Sequence, residues 1–167
     1  MDLSEIRLLV LDVDGVLTPG DVSFDEDQNR LMRFDIHDGC ALKLWHEAGY
    51  RSAILSGRRS TIVQRRALEM GISVIRQGVA DKGEAFDMLL SECDTPAEAT
   101  CFVGDDLPDL GPLDACGFAV AVANAVPAVK RVADYVALRG GGAGAVAEVI
   151  ELILRKQGRW ASVASKR

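Results

Sequence analysis

The sequence is poor in the residues and runs that mark zinc-knuckle, secreted or membrane proteins. Its four cysteines are far apart and form no Cys-x-x-Cys pair, so neither a zinc knuckle nor a disulfide framework is indicated, and we expect buried, reduced thiols. No apolar run approaches the roughly 18 residues of a membrane helix, and no basic stretch precedes an apolar run at the start. We therefore expect a cytoplasmic protein with no membrane partner.

Basic residues are in the minority. The 19 lysines and arginines are outnumbered by 25 aspartates and glutamates, which gives a net charge of -6 at pH 7. Such a surface repels the phosphate backbone, so we expect no nucleic-acid partner. If the substrate is an anion, a local group of cations must receive it.

The length and composition predict one folded domain. A chain of 167 residues, 49% of them hydrophobic, can bury about two-thirds of its unfolded surface without a metal or a disulfide. We assign residues 1–156 to this domain. Apolar periodicity is lost beyond Lys156, so residues 157–167 are predicted to form a flexible tail.

The chain is organised around one apolar run that ends in acid. The four aliphatic residues 8–11 are typical of a central strand that is buried on both faces of a parallel sheet. Asp12 and Asp14 follow, and residues two apart on an extended chain point the same way. Two such carboxylates repel each other, and a cation such as Mg²⁺ between them would offset that repulsion. Gly15 permits a sharp turn, and Thr18 adds a hydroxyl beyond it. Taken alone, this short pattern also fits a solvated, aspartate-rich turn.

Strands and helices alternate along most of the chain, which predicts an α/β fold with a parallel sheet and helices on both faces. Two β-prone runs, 16–24 and 31–36, flank the polar residues 25–29 and predict a small β-hairpin after the first strand. Asp38 is predicted to cap the first helix. The glycine-rich residues 139–144 are predicted to be mainly a flexible connection. Further strands are predicted at 51–55, 73–75, 100–103, 118–122 and around 135–136.

Further polar groups follow the later predicted strands, at the edge of the sheet where ligands bind in such folds. Ser56 follows the second strand, Lys82 begins a helix, and Asp105 with Asp106 follows the fourth strand. With the first-strand acids, these residues supply a nucleophile, an acid, a hydroxyl, a cation and metal ligands. This combination is what phosphoryl transfer onto a carboxylate requires.

The residue types suggest a role for each group. Asp12 would attack a phosphate monoester, and a Mg²⁺ ion held by Asp12, Asp105 and the backbone carbonyl of Asp14 would screen the repulsion between the two anions. Lys82 would neutralise further phosphate charge, and the Ser56 hydroxyl would hold a non-bridging oxygen. Asp14 would protonate the leaving oxygen and then deprotonate the hydrolytic water.

Four motifs in order cover nearly the whole chain. They are Asp12-x-Asp14-Gly15-Val16-x-Thr18, Ser56-Gly57-Arg58, Lys82 and Gly104-Asp105-Asp106-x-x-Asp109. This set resembles the haloacid dehalogenase-like phosphohydrolases. The resemblance implies a Rossmann-like fold, dependence on Mg²⁺ and a covalent phospho-aspartate, with Asp12 as the nucleophile and Asp14 as the general acid and base. We further assign substrate contacts to Thr18, Gly57 and Arg58, and support of the metal ligands to Asp106 and Asp109.

The intervals between the motifs leave no room for a cap domain. A capless chain with this first motif, a hairpin and the Gly-Ala-Val-x-Glu segment at 144–148 resembles the 3-deoxy-D-manno-octulosonate 8-phosphate phosphatases. That resemblance implies a small acid-sugar phosphate as substrate. It also implies a homotetramer in which the hairpins help assembly and neighbouring subunits close the site.

One motif departs from that subfamily. The subfamily usually has Arg-Asp-Gly-Tyr where this chain has His37-Asp38-Gly39-Cys40, so a fixed cation for a sugar carboxylate is missing there. His37 is expected to be a surface or structural residue. Arg58 is retained and would be able to contact an anionic substrate.

Other functions fit parts of the pattern. A nonulosonate 9-phosphate, or a phosphorylated macromolecule, is an alternative substrate for the same chemistry. A phospho-receiver domain has its acid pair on the first strand and its acceptor on a later one, whereas here Asp12 lies on the first strand. A regulatory or assembly domain without turnover is a further alternative, and the presence of Asp14, Lys82 and Asp105 argues against it.

Overall fold

A computed structural model describes residues 3–165 of the chain. Six strands form one sheet in the order β5-β4-β1-β6-β7-β8, and every pair is parallel. The strands are β1 (Leu8–Leu11), β4 (Arg51–Ser56), β5 (Val74–Gln77), β6 (Thr100–Gly104), β7 (Phe118–Ala121) and β8 (Tyr135–Val136). All four residues of β1 are buried between its two neighbours, as the apolar run predicts.

The helices cover both faces of the sheet. The helices are α1 (Ile36–Glu47), α2 (Thr61–Glu69), α3 (Lys82–Glu92), α4 (Leu110–Ala115), α5 (Pro127–Val132), α6 (Ala145–Lys156) and α7 (Trp160–Ala164). The chain leaves β1 first towards β4 and β5 and later towards β6, β7 and β8. Right-handed crossovers in opposite directions place helices on opposite faces, so the predicted α/β fold without a cap is confirmed. None of the helices in residues 3–165 has the length and apolar character of a membrane span.

The sheet core is held by large side chains and by buried thiols. Phe86 of α3 meets Phe102 of β6 edge to face, with ring centroids 5.8 Å apart. The Trp45 indole is fully buried and donates a hydrogen bond of 2.7 Å to the Arg51 carbonyl. None of the four cysteines forms a disulfide, and Cys93 and Cys101 are buried. Cys40 is exposed, however, so the expectation of buried thiols is wrong at that position.

The predicted hairpin is present but shorter than its two apolar runs. It pairs β2 (Ser23–Phe24) with β3 (Arg30–Leu31) in antiparallel fashion. The Asp25 carboxylate closes the turn by accepting hydrogen bonds from the backbone and side-chain amides of Asn29, at 2.8 and 3.0 Å. Residues 16–18 are not in the hairpin, because their N–H groups fold back onto the Val13 carbonyl.

Asp38 does not cap α1, contrary to the prediction. The helix begins at Ile36, and the Asp35 carboxylate caps it by accepting from the His37 N–H at 2.6 Å. Asp38 is 1% exposed and instead accepts from the Ala147 N–H at 2.8 Å. It thereby caps α6 from another part of the chain, because the residue before α6 is a glycine with no side chain to do so.

The described part of the C-terminal segment is packed, although it is predicted to be a flexible tail. The Gln157 side chain donates to two backbone carbonyls near the N-terminus, each at 2.8 Å. Val163 of α7 is buried. The segment is too short to show an apolar period in the sequence, so nothing in its local sequence predicts these contacts. Residues 166–167 of the predicted tail lie outside the described residues.

Asp38 predicts a pH-dependent effect on stability. Burial raises the pKa of this carboxyl from 3.8 to about 6, so its contribution to folding is lost as pH rises through that range. Asp38→Asn keeps an acceptor for the Ala147 N–H without the charge. Relative to wild type, its free energy of unfolding should rise by about 2 kcal/mol between about pH 4.5 and pH 7.5. Urea denaturation at both pH values measures this, with exposed Asp87→Asn as the control. A pH-independent difference would contradict the assignment.

Candidate active site

The acid loop follows β1 and is held by its own backbone. The N–H groups of Val16, Leu17 and Thr18 all donate to the Val13 carbonyl, at 3.0 to 3.2 Å. The Thr18 hydroxyl donates to the same carbonyl at 3.2 Å and accepts from the Gly15 N–H at 3.3 Å. Gly15 has φ of 90°, which favours glycine. The structure therefore gives Thr18 a part in the turn and does not bring its hydroxyl to the site.

A buried lysine joins two carboxylates at the centre of the site. Lys82 is the first residue of α3. The helix begins there because the Asp81 carboxylate accepts hydrogen bonds from the two backbone N–H groups that follow Lys82. The Lys82 ammonium lies 2.8 Å from Asp12 Oδ1 and 2.6 Å from Asp109 Oδ1. All three interacting groups are buried, so this ion pair is shielded from solvent.

Both carboxylate oxygens of Asp109 have partners within the protein. While Oδ1 faces Lys82, Oδ2 accepts from the backbone N–H groups of Asp105 and Asp106, at 2.9 and 3.2 Å. Asp109 ends a short 3₁₀ helix over 107–109, and Asp106 caps its start. These contacts fix the loop after β6 and agree with a supporting role for Asp109.

The carboxylates of this cluster fit a divalent cation. One oxygen from each of Asp12, Asp105 and Asp109 lies within 4.8 Å of the others. Asp105 Oδ1 is buried and has no hydrogen-bond partner among the described residues. An unpaired buried carboxylate oxygen among other carboxylates suits a hard ion such as Mg²⁺. Because Asp109 is already engaged by Lys82 and the backbone, Asp12 and Asp105 remain to hold such an ion.

Burial and mutual repulsion raise the pKa values of two carboxyls in this cluster. Burial and the neighbouring Asp109 raise the pKa of Asp12 to about 6, although Lys82 opposes the rise. Burial, Asp12 and Asp109 raise the pKa of Asp105 to about 8. Both shifts mean that the folded protein disfavours the fully ionised cluster, and a bound cation would relieve this cost.

Asp14 is separate from the lysine cluster and is paired with arginines. Its Oδ1 lies 2.7 Å from Arg30 Nη2, and its Oδ2 lies 3.7 Å from Arg58 Nε. The carboxylate is only partly buried and lines the cleft. Arg30 comes from hairpin strand β3, and nothing in the local sequence of the hairpin indicates this contact.

A cleft of about 360 Å³ at the carboxyl ends of β1, β4 and β6 gathers most of the predicted residues. Ser56 is buried at its base, and its hydroxyl accepts from the Arg58 N–H at 3.4 Å. Gly57 and Arg58 are exposed at its edge. The predicted residues that line this cleft are Asp12, Asp14, Ser56, Gly57, Arg58, Lys82, Asp105, Asp106 and Asp109. Thr18 is the predicted residue that does not line it.

The glycine-rich run is packed against the acid loop, so its prediction as a flexible connection is wrong. The Gly141 N–H donates to Asn124 Oδ1 at 2.7 Å, and the Asn124 amide donates to the Gly15 carbonyl at 3.1 Å. The Gly142 N–H donates to the Val16 carbonyl at 3.0 Å. A Cβ at Gly141 would lie 1.8 Å from the Gly15 oxygen, so only glycine permits this approach.

Neither histidine lines the cleft. His37 is exposed and contacts the Asp35 carboxylate through Nδ1 at 2.9 Å. His46 Nε2 lies 2.7 Å from the Ser52 hydroxyl. His37 is therefore a surface residue, as expected.

Known proteins share both the sequence pattern and this architecture. A family model described as haloacid dehalogenase-like hydrolase matches residues 66–150. The chain is 38% identical over 157 residues to the Haemophilus influenzae 3-deoxy-D-manno-octulosonate 8-phosphate phosphatase KdsC, covering 94% of this chain and 87% of that protein.

Solved structures extend the similarity to three dimensions. The Moraxella catarrhalis 3-deoxy-D-manno-octulosonate 8-phosphate phosphatase, solved with a magnesium ion, a phosphate ion and a KDO molecule, superposes with a TM-score of 0.94 at 36% identity, over 99% of this chain and 96% of that one. The cobalt-bound Haemophilus influenzae phosphatase gives a TM-score of 0.92 at 37% identity, over 96% and 94% of the two chains. On sequence, fold and the arrangement of its carboxylates, the chain belongs to the haloacid dehalogenase-like hydrolases.

Proposed function

We propose that this protein is a Mg²⁺-dependent phosphatase that hydrolyses 3-deoxy-D-manno-octulosonate 8-phosphate, or a related acid-sugar phosphate, through a phospho-aspartate on Asp12. The observation that carries the proposal is the buried ion pair between Asp12 and Lys82 beside the unpaired oxygen of Asp105. This group lies between β1 and β6, where the strand order reverses and α/β proteins bind ligands. The relatives that match over nearly the whole chain carry the same activity in their names.

The first chemical step uses Asp12 and Asp14. An Asp12 oxygen forms a bond to phosphorus as the bond from phosphorus to the sugar oxygen breaks. Because Lys82 occupies Oδ1 of Asp12, the other oxygen is the attacking atom. Asp14 gives its proton to the departing sugar oxygen, so the sugar leaves as a neutral alcohol.

The second step returns the enzyme to its starting state. The Asp14 carboxylate takes a proton from water, and the water oxygen attacks phosphorus while the bond to Asp12 breaks. Inorganic phosphate leaves, and Asp12 is restored as a carboxylate. Asp14 suits both steps because it lines the cleft and is not tied to Lys82.

Other residues hold the phosphate and its charge. The Ser56 hydroxyl accepts from the Arg58 N–H, which leaves its proton free for a phosphate oxygen. Lys82 supplies a buried positive charge, and Gly57 offers backbone at the cleft edge. Asp12, Asp105 and the backbone carbonyl of Asp14 would hold Mg²⁺. The ion, when bound, neutralises phosphate charge during transfer.

The substrate assignment depends on cations at the cleft edge. His37, at the position where the subfamily usually has arginine, contacts Asp35 and does not line the cleft. Arg58 does line it, and its side chain is 56% exposed. Arg58 therefore is the residue of this chain that we assign to the anionic part of the sugar.

A direct test is phosphate release from a panel that includes 3-deoxy-D-manno-octulosonate 8-phosphate, a nonulosonate 9-phosphate and neutral sugar phosphates. We expect release that requires Mg²⁺, with preference for an acid sugar. Asp12→Asn should lower kcat by at least about 1000-fold, because the nucleophile is lost. The exposed Asp114→Asn on α4 is the matched control and should behave as wild type. Full activity of folded Asp12→Asn, or no release by wild type, would contradict the proposal.

We also propose a homotetramer assembled through the hairpin. Phe24, Leu31 and Ile36 are each more than half exposed, and two of them lie on the short hairpin strands. Phe24 is paired with Arg30 and Leu31 with Ser23, so the two apolar side chains lie on opposite faces of the hairpin. Each face thus offers an apolar side chain to a neighbouring subunit. Without a cap, a neighbouring subunit is the natural cover for the cleft.

Light scattering after size exclusion tests the assembly. We expect a mass of four times the 17.9 kDa chain. The double variant Phe24→Ser and Leu31→Ser should yield smaller species, because it removes apolar contact area. Met88→Ser, which removes an exposed apolar side chain from α3, should leave the mass unchanged. A wild-type monomer would exclude the tetramer.

A cytoplasmic location is part of the same proposal. Its support is that none of the four cysteines forms a disulfide, since reduced thiols are typical of that compartment.

A further inference from the structure

We infer that Arg30, on hairpin strand β3, is a positioning residue that orients Asp14 for proton transfer. The inference rests on the proposed function, in which Asp14 is the general acid and base. It assigns to the hairpin a part in the chemistry of its own subunit, in addition to the assembly role proposed for it.

The contact between Arg30 and Asp14 is short and partly shielded. Arg30 Nη2 lies 2.7 Å from Asp14 Oδ1, and the two side chains are 19% and 28% exposed. The Arg30 Nε is buried with no hydrogen-bond partner among residues 3–165, so no second carboxylate draws the guanidinium elsewhere through that atom. Charge-assisted hydrogen bonds of this length are among the stronger ones in proteins.

The other cation near Asp14 is less well placed to orient it. Arg58 Nε lies 3.7 Å from Oδ2, and the Arg58 side chain is 56% exposed. Arg58 is also the residue assigned above to the substrate. Arg30, by contrast, holds one defined oxygen at hydrogen-bond distance.

The geometry divides the two oxygens of Asp14 by role. Because Oδ1 accepts from Arg30, Oδ2 is the atom left to carry the transferred proton. A carboxylate at the end of a strand turns about its side-chain bonds unless a partner holds it. Arg30 thus limits rotation of the Asp14 carboxylate, which lines the cleft, and a small change in orientation is costly in a proton-transfer step.

This arrangement has a consequence that depends on the leaving group. A sugar alkoxide is a poor leaving group and needs the proton from Asp14, whereas p-nitrophenolate leaves without one. Loss of Arg30 should therefore slow the first step for the sugar phosphate and leave formation of p-nitrophenolate from p-nitrophenyl phosphate nearly unchanged. The second step, in which Asp14 takes a proton from water, should slow for both substrates. A residue that merely supports the fold would slow the first step of both.

The test compares Arg30→Gln, Arg30→Lys and wild type on both substrates in Mg²⁺. For Arg30→Gln we expect kcat on 3-deoxy-D-manno-octulosonate 8-phosphate to fall about 10- to 100-fold, with a change of less than about threefold in KM. In a single turnover, the rate of p-nitrophenolate formation from p-nitrophenyl phosphate should change by less than about threefold. Arg30→Lys keeps a cation and should recover part of the loss. Arg33→Gln, an exposed arginine in the segment that follows β3, is the matched control and should match wild type.

A double-mutant cycle tests whether the effect of Arg30 on kcat is exerted through Asp14. If Arg30 acts through Asp14, Arg30→Gln added to Asp14→Asn should reduce kcat by less than about twofold. Additive losses, a first step slowed equally for both substrates, or a rise in KM with unchanged kcat would each overturn the inference while leaving phosphatase activity in place. Absence of metal-dependent hydrolysis by wild type would overturn the proposed function and this inference with it.

Discussion

The buried contact of Lys82 with Asp12 and Asp109 is the interaction on which the site depends. One ammonium group faces two carboxylates at 2.8 and 2.6 Å, and Asp105 adds a third carboxylate close by. One positive charge cannot balance three negative ones, and burial makes the remainder costly, so the pKa values of Asp12 and Asp105 rise. The folded chain therefore holds an excess of negative charge that a divalent cation is suited to balance.

The rest of the fold keeps these charges together against their repulsion. The strands β1 and β6 lie side by side, so their following loops meet at one edge of the sheet. Asp109 accepts from two backbone N–H groups and so ties the second loop to Lys82. The Asn124 amide donates to the Gly15 carbonyl of the first loop, and Gly141 packs on that carbonyl while its N–H donates to the Asn124 side chain. Rigid backbone on both sides means that the carboxylates are in place before the substrate arrives.

The site residues that can be predicted from the sequence are those marked by the local pattern of strands and helices. Asp12, Lys82 and Asp105 were identifiable because each directly follows a strand or begins a helix, and parallel strands bring such positions to one edge. Contacts between distant segments left no such signal: Arg30 reaches Asp14 from the hairpin, and the hydrogen bond to the Gly15 carbonyl comes from more than 100 residues away. The prediction that Asp38 caps α1 is wrong for the same reason, because the backbone N–H that it binds lies 109 residues further along the chain.

The most direct test of the charge balance is the melting temperature with and without Mg²⁺, for wild type and Asp105→Asn. Raised folded-state pKa values mean that metal-free stability is lost as pH rises from about 4 through 6 to 8. At about pH 8, saturating Mg²⁺ should raise the wild-type melting temperature by about 5 °C or more, and by less at about pH 5.5. Metal-free Asp105→Asn should melt above metal-free wild type and respond little to Mg²⁺. A wild-type melting temperature that ignores Mg²⁺, with Asp105→Asn no more stable, would contradict the account.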